Sequence, residues 1–291
     1  MEENNCVYIG SMGFRKSADM YNLYSDETVR RYNFENLKNG QILYIKPDAI
    51  YDFAQVIQTI SVQFVLVSGC SDYTMPDDIF PTTNEFIEFV ENPKILRWYV
   101  QNCIYKHHKI ECLPIGLDYH TMYTYPIYWG SQKTPIEQEQ ELANVVIQSI
   151  PFYDRKLSIY SNCHFLTCTK FGGDRTDALS KIPRELLFLE NAPCARAVSW
   201  REQINHAFVL SPHGNGLDCH RTWEAVILGC IPIVKSSAID SLYDNLPVLI
   251  IKDWSEITQE RLIATVEDFK CRTFQYEKLT LAYWITKMRT V

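Results

Sequence analysis

The sequence predicts an α/β protein built from two Rossmann-like halves, and three observations carry that expectation. Short apolar runs alternate with amphipathic stretches through most of the chain, the pattern of βαβ units and parallel sheets. The alternation pauses at one polar, helical segment near the middle and then begins again. The length of 291 residues suits two domains at roughly 150 residues each.

Taken in order, Ile42–Lys46 reads as a strand, Ile50–Ile60 as a helix and Val62–Ser68 as a strand. Asn84–Val90 follows as a helix, then Ile95–Val100 and Ile110–Ile115 as extended segments. Pro135–Ile150 opens with proline and carries Glu137, Glu139 and Glu141 early, a sound helix start. Beyond Pro151, Lys156–Tyr160 reads as a strand, Asp174–Leu187 as a helix interrupted near Pro183, and Trp200–His206 as a short helix. Phe208–Leu210, Ile231–Val234 and Val248–Ile251 read as strands, with a helix over Asp218–Leu228. A helix from Glu256 to about Phe269 and a last helical stretch from Tyr276 complete the series. The expected division is an N-terminal acceptor-binding half, 1–150, and a C-terminal donor-binding half, 151–291. The last helix, about 274–291, is one that could return to the N-terminal half.

Composition narrows the function classes. Hydrophobic residues at 46% and charged residues at 22% allow an ordinary buried core and exclude disordered or fibrous classes. A net charge of -7 argues against nucleic-acid or anionic-membrane binding, while leaving room for a local basic pocket. No run reaches the length of a membrane span, and the opening MEENNCVYIG has no signal-peptide pattern. Most of the 10 cysteines sit inside apolar runs, as small hydrophobes in a reducing compartment would. The expectation is a soluble, cytoplasmic protein.

The chemistry concentrates in Phe208–Val234, FVLSPHGNGLDCHRTWEAVILGCIPIV, which reads as strand, tight loop, helix, strand. Gly214 and Gly216 in the loop Ser211-Pro212-His213-Gly214-Asn215-Gly216 let backbone approach a ligand. The helix that follows offers unpaired N–H groups and a positive dipole end. His220 and Arg221 in its first turn add donors where a phosphate would rest. Glu224 lies one turn on and suits a ribose diol, as acidic residues do in dinucleotide sites. The loop lacks the Lys-Ser/Thr of a P-loop, and no GxSxG or HExxH occurs.

This run resembles the nucleotide-sugar-binding segment of exostosin-like glycosyltransferases. Ser211, Pro212, Gly214, Arg221, Glu224, Ala225, Cys230 and Pro232 match that pattern. Weaker echoes are Trp98…Gln101-Asn102, then Leu113-Pro114-Ile115-Gly116-Leu117-Asp118, and the stretch from Lys156-Leu157 through Arg175. The resemblance implies a GT-B architecture, two Rossmann-like domains facing across a cleft, with inverting transfer and no essential metal or other cofactor. It also implies Arg175 as a second phosphate contact. The absence of a membrane anchor makes the chain look more like compact members from bacteria and large DNA viruses. By that likeness, to algal-virus enzymes that decorate capsid glycans, UDP-xylose is the preferred donor among UDP-sugars, and a saccharide hydroxyl is the acceptor.

Inverting transfer needs a base on the opposite face of the sugar, expected at a strand's C-terminal end in the first half. Asp72, after an apolar strand, is the candidate; Asp118 and His120 are its rivals. Tyr73, Tyr119, Tyr123 and Tyr125 are candidates for stacking on an acceptor. The stretch from Cys103 to Cys112, with His107 and His108, has a crude zinc look, but it lacks a CxxC knuckle and carries Lys106 and Lys109. No metal is expected there. Two other readings remain open: another nucleotide- or sugar-phosphate enzyme on a doubly wound fold, and a noncatalytic glycan-binding protein.

Overall fold

The computed structural model describes residues 2–22, 29–125, 130–162, 169–190 and 192–291. The first half begins with helix α1 (Ser11–Ser17) and then builds a parallel sheet. Its strands are β1 (Ile42–Tyr44), β2 (Phe64–Ser68), β3 (Ile95–Val100) and β4 (Ile110–Cys112), hydrogen-bonded in sequence order. Helix α2 (Pro47–Val56) crosses from β1 to β2, and α3 (Thr83–Val90) from β2 to β3. Every residue of β2 is buried, as expected of a parallel strand covered on both faces. Alternation then divides the core: Val65 and Val67 join one buried cluster, Phe64 and Leu66 another.

Short helix α4 (Tyr119–Thr124) follows β4, capped by the Asp118 carboxylate, and then comes α5 (Pro135–Gln148). Thr134 and Glu137 form a reciprocal capping box at the start of α5. Glu139 on α5 accepts N–H bonds from Val7 and Tyr8 at 2.9 Å each and the Tyr119 hydroxyl at 2.8 Å.

The second sheet contains β5 (Lys156–Ser161), β6 (Leu187–Leu189), β7 (His206–Leu210), β8 (Ile231–Lys235) and β9 (Leu249–Ile251). Its spatial order is β6-β5-β7-β8-β9, all parallel. Strand order therefore reverses between β5 and β7, which opens a crevice at their C-terminal ends. The connecting helices are α6 (Gly173–Lys181), α7 (Arg196–Gln203), α8 (His220–Ile227) and α9 (Gln259–Lys270). The α/β class with two parallel sheets agrees with the sequence expectation.

The chain ends with α10 (Leu281–Arg289), which lies against the first half. Thr280 bridges Tyr8, Lys287 pairs with Glu111, and Arg289 with Asp19. One buried cluster runs through both halves, from Tyr44, Val67 and Tyr99 to Tyr160, Trp223 and Trp284. The two sheets thus share an inner core, while Phe86 and Trp98 pack outside one and Phe208 and Trp254 outside the other.

Several elements differ from the sequence expectation. Helices α1 and α4 and strand β6 had no periodic signal, because each is too short to show one. The segment read as helix up to Leu187 stops at Lys181, and Leu187 opens β6. Helix α7 begins at Arg196 rather than Trp200, and His206 belongs to β7. Helix α8 begins at His220 rather than Asp218.

Candidate active site

A cavity of about 300 Å³ opens at the C-terminal ends of strands from both sheets. From the first half come Asp72 after β2, and Ile115 and Asp118 after β4. The second half supplies Asn162 after β5, Arg175 on α6, Glu190 after β6, and Cys194, Arg196 and Ser199 around α7. The β7–α8 loop adds Gly214, Asn215, Gly216, Asp218 and Cys219; α8 adds His220, Arg221 and Glu224. The sequence-predicted Arg175, Gly214, Asn215, Gly216, His220, Arg221 and Glu224 therefore meet in one place.

The rest of the predicted loop faces elsewhere. Ser211 is buried and pairs its hydroxyl with Thr222 at 2.8 Å. Pro212 is buried and uses its carbonyl to accept from the Cys219 thiol. The His213 imidazole bonds the Leu217 carbonyl through Nδ1 at 2.8 Å, and the His213 backbone N–H donates to Asp174. None of the three lines the cavity; they hold the loop in shape.

Both loop glycines sit close against the ends of neighbouring side chains. A Cβ at Gly214 would lie 2.6 Å from a nitrogen of the Arg175 guanidinium, and one at Gly216 2.7 Å from the Asn102 amide. The Gly214 N–H itself turns inward to the Gly216 carbonyl at 3.1 Å. The α8 N-terminus, whose N-cap Cys219 makes no side-chain cap bond, remains the positive end beside the cavity.

Five carboxylates share this space with the cations, and four are committed. Glu224 is buried, and its Oε1 accepts two bonds from Arg196, at 2.8 and 2.5 Å. Glu190 accepts from Tyr160 at 2.8 Å and from the Cys194 thiol at 2.7 Å. Asp218 is fully enclosed and accepts from the Ile115 amide, the Trp223 indole and the Tyr243 hydroxyl. Burial still raises its pKa against those bonds. Asp118 accepts from the Thr121 amide at 3.0 Å and pairs with His120 Nδ1 at 3.1 Å. Burial works against its ionisation, but the charges of His220, His120 and Arg196 override it and hold the carboxyl well below the usual range. Asp72 differs: it is exposed and makes no hydrogen bond or ion pair among the described residues.

These placements separate the base candidates. A carboxylate as acidic as Asp118 is a poor proton acceptor near neutral pH. Burial lowers the His120 pKa, with His220 and Arg196 adding to the effect and Asp118 opposing it, yet His120 does not line the cavity. Of the tyrosines, Tyr119 is buried with its hydroxyl on Glu139, while Tyr73 and Tyr125 are exposed; none lines the cavity.

Sequence reasoning missed Arg196, a cation of the site with several partners. Besides Glu224 it donates to the Asp118 carbonyl at 2.6 Å and to Gln138 on α5 at 3.3 Å, and it stacks over Trp200. It crosses from the second half to the first. Two more side chains of the second half grip the same stretch of backbone: Asp218 takes the Ile115 N–H at 2.8 Å, and His220 Nδ1 meets the Gly116 carbonyl at 2.6 Å. Asn102 reinforces the joint by accepting the Asp218 N–H at 2.9 Å and donating to the Ser71 carbonyl at 3.3 Å. Its φ of 52° is an unusual conformation for a non-glycine residue, of the kind that clusters at functional sites.

The cysteine–histidine stretch lies away from the cavity. Burial pushes the thiols of Cys103 and Cys112 up to about 12 and about 11, and both donate to carbonyls. His107 and His108 sit beside Glu91 instead. His107 accepts the Lys109 N–H at Nδ1 and meets Glu91 through Nε2.

No family model matches the chain, and no curated protein matches it. Among solved structures it is similar to the crystal structure of an alpha1,3-fucosyltransferase with GDP-fucose, at 10% identity and a TM-score of 0.38. That alignment covers 94% of this chain and 95% of the other.

Proposed function

We propose that the protein is an inverting, metal-independent glycosyltransferase that moves a sugar from a nucleotide-diphosphate sugar to a hydroxyl of a saccharide. The reading rests on one observation: Arg175, His220, Arg221 and Glu224 converge with Asp72 in a single cavity between the two sheets. The resemblance of Ser211–Pro232 to exostosin-like enzymes accords with it. The donor diphosphate rests at the α8 N-terminus, where Arg221, Arg175 and His220 offset the charge that develops on the leaving group. Glu224 keeps Oε2 for a ribose hydroxyl, since both Arg196 bonds fall on Oε1. Asp72 takes the proton of the acceptor hydroxyl as that oxygen attacks the anomeric carbon and the bonding pair leaves with the phosphate. UDP is the carrier we assign and UDP-xylose the donor of first choice.

A thermal-shift panel of UDP- and GDP-sugars, followed by mass spectrometry of products, tests this. At least one nucleotide sugar should raise the Tm of the wild type, and Arg221→Ala and Glu224→Ala should each abolish the shift. A wild type protected by no nucleotide or nucleotide sugar would overturn the reading.

A further inference from the structure

Asp72 belongs to the first half of the chain, while Arg175 and Arg221 belong to the second. A base in one half can serve a donor held by the other only if their separation is fixed. Asp72 has no tie of its own among the described residues, so its segment, 69–82 between β2 and α3, is placed by its neighbours. Several ties lie within the first half. The Cys70 N–H donates to Gln101 Oε1 at 2.7 Å, the Met75 N–H to the Asn102 carbonyl at 3.0 Å, and the Ile104 N–H to the Met75 carbonyl at 2.8 Å. These hold the segment to its own sheet.

Lys170 holds it to the other half. Its ammonium donates to the Thr74 hydroxyl at 3.0 Å and to both Asp78 oxygens at 2.7 Å each. The Thr74 N–H donates to Asp78 Oδ2 at 2.7 Å and the Asp78 N–H to the Thr74 carbonyl at 2.9 Å, so the ammonium meets a closed turn. Behind Lys170, Thr169 Oγ1 and the Phe171 N–H both donate to the Gly214 carbonyl, at 3.1 and 3.2 Å. Gly214 in turn lies against the Arg175 guanidinium. A short path therefore runs from Asp72 through Thr74 and Lys170 to the glycine loop and Arg175. Asn102 makes another tie, between Ser71 and Asp218, but it is fully buried in the joint. The Lys170 side chain is 43% exposed and does not line the cavity.

We infer that Lys170 is a positioning residue: by gripping Thr74 and Asp78 it sets the reach of Asp72 toward the anomeric carbon of the donor. The inference rests on the glycosyltransferase reading and adds to it a residue outside the cavity that acts through Asp72. A misplacement of about 1 Å can cost about a hundredfold in rate, whereas an exposed ion pair adds little to stability. Loss of this tie should therefore appear in kcat and leave the fold and donor binding intact.

The test is turnover of a panel of UDP- and GDP-sugars by the whole chain, in water and with mono- and oligosaccharide acceptors, read as released nucleotide. UDP and GDP affinity by calorimetry and Tm are measured alongside. Lys170→Met, which keeps the stem and removes the charge, should lower kcat about tenfold or more, with nucleotide affinity and Tm close to wild type. Lys170→Glu combined with Asp78→Lys should recover part of the loss that each shows alone. Placed on Asp72→Asn, Lys170→Met should lower kcat no further, because residues that act as a unit are not additive. Wild-type kcat in Lys170→Met, or an undiminished further loss on Asp72→Asn, would overturn the inference and leave the transferase reading standing. A loss of nucleotide affinity as large as that of Arg221→Ala would make Lys170 a donor contact and overturn it too. A wild type that releases nucleotide from no member of the panel would defeat both readings.

Discussion

Two acidic residues, Asp72 and Glu3, show how far environment separates one carboxyl from another in this fold. Asp72 is exposed at the cavity edge and unpaired among the described residues, the condition of a base that must reach a substrate hydroxyl. Asp72→Asn is expected to lower kcat by about 10²–10⁴-fold and leave nucleotide binding unchanged, as measured by turnover and by thermal shift. Glu3 is only 1% exposed, and among the described residues neither carboxylate oxygen has a hydrogen-bond partner. Burial first, and the charge of Asp118 second, push its pKa from 4.5 up to about 8, although the Met12 and Gly13 amides lie close enough to favour the anion. Between those two values the folded chain keeps a proton that the unfolded chain has released. Stability from this group is thus full below 4.5 and declines as pH rises to about 8, by about 1.4 kcal/mol for each pH unit crossed. Glu3→Gln should flatten that decline and raise stability at pH 8.5, measured by urea unfolding across the range. A variant whose decline matches the wild type would contradict the assignment.

At the scale of elements, the β4–α4 loop and the α8 helix act as one joint. The loop can run where it does because residue 116 is glycine: its φ is positive, and the Ile9 backbone leaves no room for a side chain. Gly116→Ala should therefore destabilise the protein by about 2 kcal/mol or more and weaken nucleotide binding by displacing the carbonyl that aims His220. Equilibrium unfolding and calorimetry check the two effects separately. The helix α8 was legible because a strand, a glycine loop, a basic first turn and Gly229-Cys230-Ile231-Pro232 follow one another in sequence. The start of α7 was not. Arg196-Ala197-Val198-Ser199 shows weak amphipathicity, and its arginine gains meaning only from Glu224, 28 residues away, and Asp118, 78 residues away.

For the whole molecule, Arg196 is the clearest link between the halves, since it bonds α8, α5 and the loop after β4 at once. Removing it would leave Glu224 buried without its counter-charge. Arg196→Ala is expected to cost about 3–5 kcal/mol and to lower the Tm accordingly, with Arg196→Lys recovering only part because a lysine cannot reproduce the forked contacts. A scanning calorimetry trace unchanged by Arg196→Ala would show that the joint is held elsewhere. The acidic balance of the chain also takes on a local meaning here. The cavity is not a plain basic pocket: Asp118, Glu190, Asp218 and Glu224 each have partners, and the cations that line it stand among them.

The sequence alone determined the α/β class and most of the strands, because burial in parallel sheets writes itself as short apolar runs with local period. It also determined the glycine loop before α8 and the basic first turn of that helix, because those residues are contiguous. Only the tertiary structure decided which loop residues face the cavity: Gly214, Asn215 and Gly216 do, while Ser211, Pro212 and His213 brace the loop. It also decided the surroundings of Asp72, Asp118 and His120, the contacts of Arg196 and the orientation of His220. Each of these depends on burial and on partners distant in the chain, and a carboxyl or imidazole takes its protonation and its aim from the groups that surround it in space.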